Sequence, residues 1–182
     1  MEQLRRSAVI RHQLRTQDPE LLQHFDTVME QYDRNFSMRL YVHETLFRET
    51  IWSQGTDEQY AQYRDAIDKM AVIGCFAMTE IGYSSYLRGL ETTATFDTNT
   101  QEFIINTYVY FSLSKLLPFF FFLFLHNSNS LLGTKFWIGM AGETATHTVA
   151  LAKLVTPSKD GSSAKIHGLH WFIVPLRNPE TG

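Results

Sequence analysis

Few side chains in this sequence are spaced for chemistry, and the carboxylates come first. Glu80 follows Met78-Thr79, and Glu143 lies between Gly142 and Thr144. A general base needs a proton within reach and a neighbour that tunes its pKa. Glu143 falls in an expected turn without such a neighbour, and Glu80 reads as a hydrogen-bonded carboxylate at a strand end. Gly82-Tyr83-Ser84-Ser85-Tyr86 begins like a nucleophile elbow, but Tyr86 stands where the closing glycine belongs. The seven histidines form no HExxH pattern. His167 and His170 read as exposed loop residues, with neither cysteine nor carboxylate to complete a zinc site. Neither GxGxxG nor a Walker-type lysine loop occurs, so both common phosphate-cradling loops are missing. Cys75 is the only cysteine, which excludes an internal disulfide framework and a cysteine-cluster metal site. No catalytic residue and no metal site is assigned from these patterns.

The elements that would carry such residues change character along the chain. The 182 residues suffice for a real core, and 44% hydrophobic against 19% charged residues argues against global disorder. A formal charge of −3 argues against a nucleic-acid binder. Residues 1–17 carry Arg5, Arg6, Arg11 and Arg15 against Glu2. That is the composition of an organelle presequence, and the plainer reading, which we prefer, is a solvated helix. Asp18-Pro19-Glu20 offers a cap, a proline at the first helical position and an early acid. Apolar residues then recur on one face from Leu21 to Phe36, and again from Leu40 to Trp52. Gly55 punctuates, and Thr56 with Gln59 resembles a capping box. From Ala71 onward short β-rich runs appear: Val72–Thr79, Leu90–Phe96, Glu102–Thr107, Thr146–Val155 and Leu169–Leu176. Polar turns such as Asp97–Thr100 separate them, which predicts an antiparallel sheet or barrel. Thr156–Lys165 reads as an exposed loop.

One stretch fits neither half. Tyr108–Leu125 is dense in apolar residues and holds six of the fourteen phenylalanines. A spanning helix wants about 20 largely apolar residues, and here Lys115 and Pro118 interrupt. The preferred reading is an insertion rather than a membrane span. Its Phe119–Phe124 window is charge-free and β-prone, an aggregation hazard if exposed.

Several segments, in order, resemble the acyl-CoA oxidase family. They are Ser37–Ile51, Gly55–Gln59, Gly74–Thr107, Lys135–Leu154 and Gly168–Arg177. The resemblance implies a helical N-terminal domain, then a middle β-barrel against which FAD lies beside the acyl-CoA, then a C-terminal helical bundle. The expected fold class is thus α+β: a helical segment over 1–70, then an antiparallel barrel-like domain over 71–182, with the C-terminal bundle absent. The spacing from Asn106 to Lys135 is much longer than the family's, so 108–133 reads as an insertion into the β domain, expected at its surface.

Residue by residue, Thr79 matches the family's flavin-contacting threonine, and its hydroxyl suits the mixed hydrogen-bonding edge of the ring. Gly139 matches a second flavin contact, where a missing side chain permits close approach. Trp137 matches an aromatic position beside the flavin, with barrel packing as the rival reading. The loop after Glu80 departs from the family's pattern: Tyr83 replaces a histidine and Ser84 a glycine. A serine there is expected to obstruct a positive φ, which leaves Ser85 as a candidate substrate contact. In the family a carboxylate base takes the α-proton while the β-hydride passes to FAD, and oxygen then yields hydrogen peroxide. That base belongs to the C-terminal region, so this chain alone is expected to be inactive and to bind FAD weakly. The implied partners are a fatty acyl-CoA, a second copy or a full-length relative. The rival reading is a non-catalytic variant that binds a relative or a membrane through 108–125. Resemblance implies a peroxisomal address, although Asn178–Gly182 is no peroxisomal signal.

Overall fold

The structure, a computed structural model, describes residues 2–107, 131–157 and 164–177. The Phe-rich stretch 108–125, the body of the expected insertion and most of the expected Thr156–Lys165 loop lie outside the described residues. The element order is helices first, then strands: α1 (Glu2–Gln17), α2 (Pro19–Tyr32), α3 (Arg34–Tyr41), a π-helical turn (Val42–Arg48), α4 (Glu49–Gln54), α5 (Asp57–Asp68), and β1 (Gly74–Ala77), β2 (Thr92–Asp97), β3 (Glu102–Thr107), β4 (His147–Thr156) and β5 (Lys165–Pro175). Because α3, the π turn and α4 run without a break, the described chain holds four continuous helices and a mixed α+β fold.

The strands line up as β1-β4-β2-β3, with β5 also on β4. This order is open, so the expected barrel does not form among the described residues. The expected antiparallel pairing holds in part. β2 and β3 form an antiparallel hairpin from Thr92↔Thr107 to Asp97↔Glu102, but β2 and β4 are parallel, with Ala94 opposite Leu154. A hairpin turn joins only the first pair, whereas a parallel pair needs a long crossover, and the whole of β3 and all that follows it intervenes between β2 and β4.

Contacts divide the chain into two units. The first is Met1–Phe76, Ile138–Ala150 and Ile173–Gly182; the second is Ala77–Trp137 and Leu151–Phe172.

In the first unit, local chemistry sets the helix ends. The Asp18 carboxylate accepts the Leu21 N–H at 3.0 Å ahead of Pro19. Thr56 and Gln59 complete a reciprocal capping box. Leu4, Ala8, Leu40, Met70 and Ile73 form the buried cluster, with Phe36 and Met140 packed on it. The face of α1 is not simply solvated. Arg11 pairs with Asp26, and Arg15 reaches the buried Glu44 at 2.6 Å. Burial pushes the Glu44 carboxyl up, but Arg15, His43 and Arg48 outweigh it and hold it below the usual range. The π turn also buries His43 and Phe47. His43 Nδ1 accepts the Gly74 N–H at 3.0 Å, and its ring stacks on Phe47.

In the second unit, the β2–β3 turn is held by the Asp97 carboxylate, which accepts the Asn99 N–H. Phe96, Phe103 and Phe172 pack in a row with centroids 5.2 Å apart at each step. No helix among the described residues is long and apolar enough to cross a membrane.

Candidate functional site

Within the second unit, residues 78–80 run antiparallel to residues 135–136, with a bridge between Glu80 and Lys135. Three ties fix the pairing. Lys135 Nζ donates to Met78 O at 3.0 Å. The Phe136 N–H donates to Thr79 O at 3.0 Å. Lys135 Nζ also donates to Glu80 Oε1 at 3.0 Å. The third ammonium donor goes to Leu151 O at 2.8 Å, so all three are used.

Glu80 is 0% exposed. Its Oε2 accepts the Glu91 N–H at 2.7 Å, and its Oε1 accepts the Thr92 N–H at 3.1 Å and the Thr92 hydroxyl at 2.6 Å. Burial pushes this carboxyl up, but the Thr92, Glu91 and Lys135 donors outweigh it and hold it below the usual range. Burial pulls the Lys135 ammonium down, with Glu80 opposing. A carboxylate that is ionised, enclosed and saturated with donors is a poor proton acceptor, which agrees with reading Glu80 as structural.

Thr79 and Trp137 are therefore brought together, each one residue from an anchored partner. The Thr79 side chain is half-buried, and its hydroxyl has no hydrogen-bond partner among the described residues. Trp137 is 88% exposed and sits at φ 62°. An indole in that state is not core packing, and a bulky residue in the left-handed region is held there at a cost of roughly 1–3 kcal/mol.

Ser85 lies exposed in the turn that follows. The expectation that Ser84 would obstruct a positive φ fails: Ser84 adopts φ 49°, held by its N–H to Glu80 O at 2.8 Å. Serine tolerates the left-handed region at a modest cost, so the turn survives the loss of glycine. Tyr83, in place of the family's histidine, bonds through its phenol to Glu91. The stretch runs from a strand through this turn to the short 3₁₀ turn Leu87–Gly89, which is not the strand-to-helix elbow of a serine hydrolase.

Gly139 belongs to the first unit. It lines a groove of about 630 Å³ together with Met38, Arg39 and Val42. Its φ lies outside the left-handed region, and nothing comes within 4 Å of where a Cβ would sit. The described fold thus gives no reason for glycine at this position. Glu143, expected to lack a partner, is paired with Arg39 at 2.5 Å on this groove.

His167 and His170 are exposed as expected, but in β5 rather than in a loop. Among the described residues no three His, Cys, Asp or Glu side chains gather as metal ligands. Sequence reasoning missed Lys135 and the donors around Glu80. The available signal was a lysine and a glutamate of opposite charge, Glu80 next to Thr79 and Lys135 two residues before Trp137.

No family model matches the chain. Over 148 residues it is 38% identical to acyl-coenzyme A oxidase 1 of Yarrowia lipolytica, covering 80% of this chain and 18% of that protein. Peroxisomal acyl-coenzyme A oxidase 1 of Arabidopsis thaliana is 37% identical over 139 residues, covering 76% and 17%. Among solved structures, acyl-CoA oxidase 1 of Yarrowia lipolytica superposes with a TM-score of 0.69 at 33% identity, over 99% of this chain and 24% of that one. Acyl-CoA oxidase-1 of Caenorhabditis elegans, complexed with FAD and ATP, gives 0.58 at 31%, over 77% and 17%. The chain spans about a fifth of the length of the curated relatives it matches. Over most of its length it is a homologue of the acyl-CoA oxidases, matching a single region of them.

Proposed function

We propose that this region is the flavin-contacting part of an acyl-CoA oxidase acting in fatty-acid β-oxidation. The observation that carries the reading is the pairing of 78–80 with 135–136, which anchors the backbone and leaves the Thr79 hydroxyl and the Trp137 indole free. The residues present suit an isoalloxazine ring. Thr79 offers a hydroxyl that donates and accepts, and Trp137 offers an open aromatic face. Gly139 offers open space beside its backbone. FAD, when bound, would supply the hydride acceptor. The chain's residues would bind and orient it: Thr79 through its hydroxyl, Trp137 through its ring and Gly139 through its open backbone, with Ser85 toward the fatty acyl-CoA. Glu80 holds the strand pair and takes no proton.

We further read 1–70 and 71–182 as the helical and middle domains of that enzyme, with 108–133 inserted. Its address is the peroxisome, as named for the Arabidopsis relative, and its partner is a second copy or a full-length oxidase. Equilibrium dialysis of the purified chain against FAD tests the central part. The expected result is saturable binding, weakened several-fold by Thr79→Val and by Trp137→Ala. Absence of binding, or equal binding by both variants, would defeat the proposal.

A further inference from the structure

We infer that Lys135, acting with Glu80, is the positioning residue that sets Thr79 and Trp137 relative to one another. The flavin consequence of this inference rests on the reading above, while the positioning itself does not.

The ammonium is poorly explained by stability alone. Withdrawing two charges from water is costly, and replacing a buried pair by apolar residues is often neutral or stabilising. A leucine or methionine at position 135 would fill similar volume without that cost. What an apolar side chain cannot do is bond three acceptors on two segments at once. Lys135 Nζ holds Met78 O, Glu80 Oε1 and Leu151 O, all within 3.0 Å. Glu80 passes the constraint on to Glu91 and Thr92 at the start of β2. The residues before and after Thr79 are thus both bonded to the side chain of Lys135, and Thr79 itself to the next residue's N–H. The indole that follows sits at positive φ with almost no protein contact of its own. Its placement depends on the anchored residues beside it. One ammonium therefore determines where a free hydroxyl and a free aromatic face stand.

The test uses the full chain and the double variant Lys135→Met with Glu80→Gln, which removes the ammonium without leaving a charge buried. Amide hydrogen exchange is read at Phe136, whose N–H bonds Thr79 O, and in the β2–β3 hairpin at its turn end, Thr95–Asp97 with Glu102–Ile104, away from Glu80. The expected result is at least tenfold faster exchange at Phe136 with less than twofold change in the hairpin, and FAD binding at least tenfold weaker by dialysis. Exchange at Phe136 as slow as in the parent would overturn the inference. Acceleration of both regions together would do so too, since it would mark a merely structural pair. If the double variant does not fold, Lys135→Gln is read in the same way, with a shorter side chain and two donors in place of three. Should the parent chain bind no FAD, the flavin reading falls, and the exchange rates alone decide the positioning.

Discussion

Replacing Gly74 with alanine should strike the helical unit where backbone and ring are closest. A Cβ on Gly74 would lie 1.9, 2.0 and 2.3 Å from Cγ, Cδ1 and Cδ2 of Phe47. Carbon atoms pack best near 3.5–4.0 Å, so the ring must retreat by roughly 1.5 Å. Phe47 is fully buried and stacks on His43 at a centroid distance of 6.1 Å, so retreat displaces the imidazole that accepts the Gly74 N–H. Over-packing typically costs about 1–3 kcal/mol, and a clash with three ring atoms belongs at the upper end, near 3 kcal/mol. At about 2–4 °C per kcal/mol for a chain of this size, the unfolding midpoint should fall by roughly 6–12 °C. Circular dichroism at 222 nm during heating reads this out. Phe47→Leu in the same background should recover part of the loss, because the smaller side chain vacates the space. A midpoint within 2 °C of the parent for Gly74→Ala, or no recovery with leucine, would refute the packing argument.

Two further outcomes are expected. Burial lowers the His43 pKa, with Glu44, Asp68 and Arg48 the charged groups facing it. Its folded value therefore lies below the unfolded one, near 6.5. Stability from the neutral ring is full above that pH and is lost as pH falls through the folded value, so urea midpoints should drop as pH falls below about 6.5. His43→Gln should flatten that drop; an unchanged slope would assign it to other groups. Deleting 109–130 while keeping Leu131–Gly133 should raise soluble yield, because Leu132 O accepts the Gly82 N–H at 2.8 Å and Gly133 fits against Thr107 and Glu91. Loss of folded protein on that deletion would show that the Phe-rich stretch is structural.

What the sequence made legible was local. β3 has the bounds read from its β-rich composition and flanking turn, and the caps at Asp18 and Thr56 are formed by the side chains named for them, because each depends on residues a few positions apart. Strand direction is not written in local composition, since a β-rich run looks the same in parallel and antiparallel pairs, so the parallel β2–β4 pair departs from the antiparallel sheet expected. Arg15 and Glu44 stand 29 positions apart, and Arg39 and Glu143 stand 104 apart. Only the fold brings such charges together, which is why α1 looked solvated and Glu143 unpartnered. At the candidate site, the family resemblance named Thr79, Trp137 and Gly139 as candidates, while the exposure of Trp137 and the three bonds of Lys135 needed coordinates.

The most direct test of the flavin reading is the emission of Trp137 during titration with FAD, taken as the difference between the parent chain and Trp137→Phe. Stacking of the indole on the isoalloxazine ring should quench that component to saturation. Thr79→Val should shift the titration to higher FAD, and Trp137→Ala should weaken dialysis-measured binding, since an aromatic pair of this kind contributes about 0.5–1.5 kcal/mol, or roughly two- to thirteenfold. A Trp137 component that FAD quenches only linearly, as random collision does, would contradict the assignment of this surface to a flavin.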